Sequence, residues 1–408
     1  MAENFKYDFT SIMDRKGRDA TAVDAVGKKI WGKELKAPRD GYDFIPMWVA
    51  DMNFPTAPSI IRALHDRVDH PAFGYFMPSD AYYDAIINWR CYGGKGHTGL
   101  GLTRDMIGYE NGVHGFVTSA VQVLTKPGDR ILLHSPVYLG FKMDVEGLGR
   151  HSVYSPLIQD EKGDWHMDYD DMDRKIKDNK IRVVIFCSPH NPTGRVWRRE
   201  ELEKAMEVFE RNDVTVISDE IWADIVFPGE EHIPLQAVND WAKEHIAAAY
   251  APSKTFNLAG LIGSYHIIYN DELRKRITDY GSRTHYNDMN VLSMHALIGG
   301  YSEEGREWKD EMVRVIKGNA EFFYSFFREN YPEVRVAMPQ GTYMFFLDFG
   351  SYMKRTGKTL DEILEAGWDY GVGWQDGRDF EGPNHIRVNL ASPLSRIQEA
   401  ARRIRLFL

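Results

Sequence analysis

Between residues 104 and 269 the chain repeats one unit: a short apolar run, a stretch with helical spacing, then another apolar run. Seven runs read as strands, over 105–110, 130–134, 152–154, 182–187, 214–218, 246–250 and 265–269. Val183-Val-Ile-Phe-Cys187 and Ile246-Ala-Ala-Ala-Tyr250 are apolar at every position, the pattern of a strand covered on both faces. Strands of that kind, separated by helices, form a mostly parallel sheet whose crossovers lie on either side. The expected class is therefore α/β with a mostly parallel seven-stranded sheet.

The remainder does not follow that rhythm. Residues 1–50 mix charges with Gly17, Gly27, Gly32 and Gly41 and read as an irregular arm, packed on another part of the molecule. After 271 come helices rich in aromatics, including Phe322, Phe323, Phe326 and Phe327. Strands follow over 341–348 and 385–390, and then a last helix from Ser395. A chain of 408 residues exceeds what one core usually serves. We expect an arm over 1–50 belonging partly to a small domain, a large domain over 51–300 and a smaller α+β domain over 301–408.

Charge narrows the partners. The formal balance of −10 argues against nucleic acid or an anionic membrane as the main partner and favours a small molecule. Two cysteines, Cys91 and Cys187, do not make a disulfide framework, and no run resembles a signal peptide or a membrane span. A soluble, cytoplasmic protein is expected. The 14 histidines show no metal-ligand spacing, so no metal is expected, and His190 and His232 read as pocket-edge or surface residues.

Lys254 is the first candidate for chemistry. It follows an apolar strand through Pro252 and Ser253, where desolvation lowers an amine's pKa and makes it a nucleophile; the alternative is an ordinary surface lysine. Asp219 ends the preceding strand, and strand ends of open α/β sheets bind ligands. Asn111-Gly-Val-His-Gly115 opens a helix whose free N–H groups suit a phosphate. The loop Ile45-Pro-Met-Trp-Val-Ala-Asp-Met52 either faces a pocket with Trp48, Ala50 and Asp51 or is a plain buried crossover. Gly94-Lys-Gly-His-Thr-Gly99 matches a dinucleotide fingerprint but follows a helix and precedes no helical pattern, so it reads as loop.

Four phrases in fixed order carry a resemblance: Ser188-Pro-His-Asn-Pro-Thr-Gly194, Ser218-Asp-Glu-Ile221, Ser253-Lys-Thr-Phe-Asn-Leu-Ala-Gly260 and Arg387-Val-Asn-Leu-Ala-Ser-Pro393. With them the chain resembles fold-type I pyridoxal phosphate (PLP) enzymes over nearly its whole length. Pro46-Met-Trp-Val-Ala-Asp-Met-Asn-Phe54 and Pro228-Gly-Glu-Glu-His232 make it similar to the cystathionine beta-lyase and cystalysin branch. The resemblance implies PLP as cofactor, with Lys254 bonding its aldehyde, Asp219 facing the pyridinium nitrogen, Asn191 the ring oxygen and Tyr138 the ring face. It places the phosphate on Gly112 and Val113, helped by Ser253 and by Tyr75 from a second subunit of a homodimer. Arg387 takes the substrate carboxylate, with Asp51 nearby.

The bland alternatives are packing for Tyr138 and Tyr75, a turn for Asn191 and a surface ion pair for Arg387. Departures from the family pattern are Trp222, which bears on the second contact to the ring oxygen, Ile262, which leaves the phosphate to backbone N–H groups and hydroxyls, and His114 and Leu139, which with His285, Tyr286 and Asn287 are expected to bear on side-chain specificity. The implied activity is carbon–sulfur β-elimination from an L-amino acid. An aminotransferase is the alternative, and a cofactor-bearing regulatory protein a third.

Overall fold

The computed structural model describes residues 5–30, 32–92, 99–285 and 287–408. Residues 94–98 of the glycine-rich fingerprint and Tyr286 lie outside the described residues. Seven strands among the described residues form the central sheet: β1 (Ile107–Glu110), β2 (Arg130–Ser135), β3 (His151–Pro156), β4 (Val183–Cys187), β5 (Thr215–Asp219), β6 (Ile246–Tyr250) and β7 (Ser264–Ile267). Their spatial order is β1-β7-β6-β5-β4-β2-β3, and β7 alone among them runs against its neighbours.

The uninterrupted apolar runs are divided between two faces by the two-residue period of a strand. Leu132, Val184, Val216 and Ala248 enter one core, with Phe186 and Tyr250; Ile131, Leu133, Val183, Ile185, Ile217 and Ala247 enter the other, beneath the helix Gly112–Leu124. Two neighbouring strands at one side of the sheet differ slightly from the sequence reading. A 3-10 turn, Arg104–Met106, takes the start of the expected first strand, and β7 stops at Ile267.

The arm is tied to the C-terminal half. Phe9 packs between Phe54 and Trp308, at ring separations of 5.2 and 5.4 Å. Ile45–Pro46 pairs in parallel with Val372–Gly373. A second sheet contains Arg335–Val336, Met344–Asp348, His385–Asn389 and Gln375–Asp376 in that spatial order, backed by the 28-residue helix Glu303–Asn330. Phe323, Phe326 and Phe327 of that helix are core residues. No helix of the described residues is long and apolar enough to cross a membrane.

One buried ion pair braces the sheet against the helix Asp80–Tyr92. The Arg90 guanidinium meets Asp224 at 3.0 and 3.2 Å and donates to the hydroxyls of Tyr265 and Tyr301. Asp224 also accepts from Trp89 Nε1 and from the hydroxyl of Thr255, the residue after Lys254. Removing one partner of such a pair strands the other in a low-dielectric interior, at about 3–5 kcal/mol. Arg90→Met is expected to lose about that much stability in urea unfolding at neutral pH; a loss below about 1 kcal/mol, the range of an exposed pair, contradicts the bracing role.

Candidate active site

Shared register brings the candidate residues to one rim. Asp219 is paired with Cys187 on one side and Ala249 on the other, so β4, β5 and β6 end at one level. β2 runs parallel beside β4, with Ile131 opposite Val183 and Leu132 opposite Val184. Tyr138 follows the end of β2, Asn191 the end of β4 and Lys254 the end of β6; Asp219 is itself the end of β5. This carboxyl edge opens into a cavity of about 1770 Å³ lined by Lys254, Tyr138, Arg387, Asp51, Trp48 and His114, among others. The loop at 48–51 therefore faces a pocket.

Lys254 Nζ donates to the carbonyl of Ala50 at 2.9 Å and lies 5.9 Å from the centre of the Trp222 ring. Burial, and next the charge of Arg387, lowers its amine to about 8, against the opposing pull of Asp51 and Asp219. Asp219 accepts from the Ile221 N–H at 2.9 Å, and burial raises its carboxyl to about 6 despite that bond and the nearby His114 and Lys254. Arg387 is buried, donating to Asn191 Oδ1 at 3.1 Å, to the Trp48 carbonyl at 3.0 Å and to Gln375. Among the described residues its Nε has no hydrogen-bond partner. Because Asn191 spends its oxygen on Arg387, its amide nitrogen is left as the donor.

Tyr138 caps the helix Leu139–Gly147 and belongs to a chain of side chains. Its hydroxyl is 2.9 Å from His114 Nε2, and His114 Nδ1 is 2.8 Å from Asp144 Oδ2. Gly140 makes the room: a Cβ there would stand 1.9 Å from the His114 ring and 2.7 Å from Tyr138. Burial raises the Tyr138 phenol to about 12. Burial also disfavours a charged His114, but the hydrogen bond and charge of Asp144 outweigh it and raise the imidazole above its ordinary value.

Gly112 turns into its helix at φ +81°, a conformation that favours glycine, with Ile262 Cγ2 3.9 Å from where a Cβ would stand. Val113 is buried behind it, and Ser253 accepts the Leu258 N–H through its carbonyl. Leu139 lines the cavity, whereas Tyr75 is fully exposed and does not.

Several expectations need correction. His190 is buried, its Nδ1 2.8 Å from the Thr193 hydroxyl, because the loop after β4 folds back over it. His232 is likewise no surface residue: its Nε2 is 2.8 Å from buried Glu220, which pairs with it inside the core. His285 and Asn287 do not line the cavity. Asn287 instead bonds Glu110, the Tyr109 carbonyl and the Asn111 N–H, bracing the chain just before the Gly112 turn.

Other residues at the site escaped the sequence reading. Tyr343 donates to the same Ala50 carbonyl as Lys254, at 3.0 Å, and stands edge-on to Trp222. Arg15 forms a two-point ion pair with Asp51. Asn257 and Asn389 hold the backbone of the loop 49–52 from opposite sides. Asn257 and Asn389 stand inside the quoted phrases, three residues after Lys254 and two after Arg387, which was the available signal.

A mostly parallel sheet with a lysine, a carboxylate and a buried arginine gathered at its carboxyl rim defines an enzyme-like α/β scaffold. The family model described as aminotransferase class I and II matches residues 43–404, and the chain belongs to that family. It is 34% identical over 370 residues to cystathionine beta-lyase PatB of Bacillus subtilis (strain 168), covering 89% of this chain and 92% of that one. Its fold matches a PLP-bound protein of Clostridium difficile 630, named as a candidate aminotransferase, with TM-score 0.89 and 32% identity over 98% and 99% of the two chains. It also matches the PLP-bound C–S lyase of Staphylococcus hominis, with TM-score 0.87 and 29% identity over 100% and 99%.

The environment of Lys254 sets a pH test. In protein without added cofactor, modification of Lys254 by trinitrobenzenesulfonate, read by peptide mass spectrometry, is expected to rise with a midpoint near pH 8. Arg387→Met removes a positive neighbour and moves that midpoint up; a midpoint unmoved and near the usual lysine value contradicts the electrostatic account.

Proposed function

We propose that this protein is a PLP-dependent carbon–sulfur β-lyase that cleaves an L-amino acid to pyruvate, ammonia and a thiol. The observation that carries the reading is the amine of Lys254, lowered to about 8 and set on the cavity with Arg387, with the Asp219 carboxylate close enough to act on it. The residues suit the cofactor: a partly neutral amine to bond its aldehyde, a buried carboxylate that accepts a backbone N–H, and a glycine turn at a helix start. Lys254, Asp219, Asn191 and Tyr138 would hold its ring, and Gly112, Val113 and Ser253 its phosphate. Bound there, PLP supplies the electron sink that makes the substrate Cα proton removable.

The protein's own groups do the rest. Arg387, already supported by Asn191, Trp48 and Gln375, takes the substrate carboxylate as a two-point hydrogen-bonded pair. That fixes Cα relative to Lys254, whose neutral Nζ takes its proton as general base. Asp51, held by Arg15 and standing beside Ala50, keeps the loop over the amine in place. Relatives named as cystathionine beta-lyase and C–S lyase support elimination over transamination, which uses the same lysine, aspartate and arginine.

A homodimer is part of the proposal. Tyr75 is fully exposed beside Phe73 and Met77, an apolar group that a second copy would cover while Tyr75 reaches the neighbouring site's phosphate. A cytoplasmic enzyme acting on free amino acids fits this assignment.

Purified protein loaded with PLP is expected to release pyruvate and thiol from L-cystathionine or L-cysteine with no keto acid present, and Lys254→Ala to lose that turnover. Turnover that appears only when a keto acid is supplied moves the assignment to aminotransferase. Light scattering is expected to give twice the chain mass; a fully active monomer removes the role of Tyr75.

A further inference from the structure

Beyond the ring contact proposed for Tyr138, the chain Asp144–His114–Tyr138 has no assigned role, yet its last two members line the cavity that holds Lys254. We propose that His114, anchored on Asp144, is the positioning residue that lets the Tyr138 hydroxyl give its proton to the departing sulfur. This rests on the lyase reading and extends it to the leaving group.

The geometry carries the argument. Asp144 accepts from Nδ1, which leaves Nε2 facing the Tyr138 oxygen. In the neutral ring Nε2 has only a lone pair, so the phenol proton is committed to His114. In the imidazolium both nitrogens donate, Nε2–H occupies the phenol oxygen, and the phenol's own proton is released toward the cavity. His114 has 49% of its side chain exposed and can be recharged from solvent.

The step balances without any further reactant. The carbon–sulfur bond breaks with both electrons on sulfur, and the Tyr138 O–H proton bonds to that sulfur. The Nε2 proton passes to the phenolate oxygen, and the neutral ring takes a proton from water. A phenol raised to about 12 does not ionise unaided, which is why a proton supply behind it matters. Tyr138 touches the leaving atom; His114 and Asp144 act through it.

The charged and titratable groups around His114 come from every packed element. Asp144 and Tyr138 stand on and before the helix Leu139–Gly147, Asp219 ends β5 and Lys254 follows β6. Asp144 and Asp219 favour the imidazolium and Lys254 opposes it, with a net upward shift. The proton is therefore present on His114 below that raised value and lost as pH rises through it.

The test compares leaving groups. Wild type, His114→Asn and Asp144→Asn, each loaded with PLP, are assayed on S-methyl-L-cysteine, whose thiolate is strongly basic, and on S-(4-nitrophenyl)-L-cysteine, whose thiolate is weakly basic. Both variants are expected to lose at least roughly tenfold more kcat on the methyl substrate than on the nitrophenyl one, part of the roughly hundredfold or more that general acid catalysis contributes, since the phenol itself remains. The alkaline limb of kcat on the methyl substrate moves to lower pH in Asp144→Asn. Equal losses on the two substrates, or an unmoved pH profile, overturn the proposal.

A second readout does not depend on turnover. The His114 imidazole, followed by NMR in protein without cofactor, is expected to titrate above the ordinary histidine value in wild type and lower in Asp144→Asn. An unshifted titration in both overturns the pair. Wild-type protein without lyase activity but with the shifted titration overturns the leaving-group role along with the lyase assignment, while no leaving-group difference in an active lyase overturns the role alone.

Discussion

The parallel pairing of β5 with β4 and β6 fixes where each strand ends, and the site depends on those ends. Asp219 sits opposite Cys187 and Ala249, so the next residues of each chain leave the sheet together over one rim. Shifting β5 by one residue would turn Asp219 toward the other face and put its carboxylate on the wrong side of the sheet. The apolar runs oppose such a shift, because Val216 and Ile217 enter separate cores on the two faces. Packing on both faces is thus what locates a carboxylate and an amine at the same rim of the sheet.

The rim also concentrates charge below the protein surface. Lys254 and Arg387 are cations in one buried neighbourhood, and each is shifted toward its neutral form. Burial is the largest cause in both, so the site stores electrostatic free energy that an anionic ligand releases. Asp51 and Asp219 relieve part of it. The loop between them is held through its backbone, by Asn257 at Met52 and by Asn389 at Val49 and Asp51. That arrangement leaves the Ala50 carbonyl pointing at Lys254 without requiring any particular side chain at position 50.

Much of this was legible in the sequence because it follows local rules. The strands of the parallel sheet announced themselves as uninterrupted apolar runs, and Lys254 and Asp219 stood at their ends. Strand direction was not legible: nothing in Ser264-Tyr-His-Ile267 says that it runs against Tyr250, since an apolar strand pairs either way. Tyr343 and Arg15 were invisible as site residues for another reason. Each meets the loop 50–51 from far along the chain, and such contacts follow from the packing of the arm and the second sheet. His190 and His232 were misplaced because a polar residue's burial depends on a partner, Thr193 and Glu220, that spacing alone does not assign.

Gly140 links two positions that lie far apart in the chain. Its missing side chain is the space in which the His114 ring lies, so a Cβ at 140 requires that ring to leave its place against Tyr138. The two positions are then coupled: with a methyl group at 140 the imidazole is kept only by turning away, and the contacts from Asp144 through His114 to Tyr138 are broken. Change at this corner of the pocket therefore disturbs the contacts of a second side chain, which a substitution at an exposed helical position such as Ile61 does not.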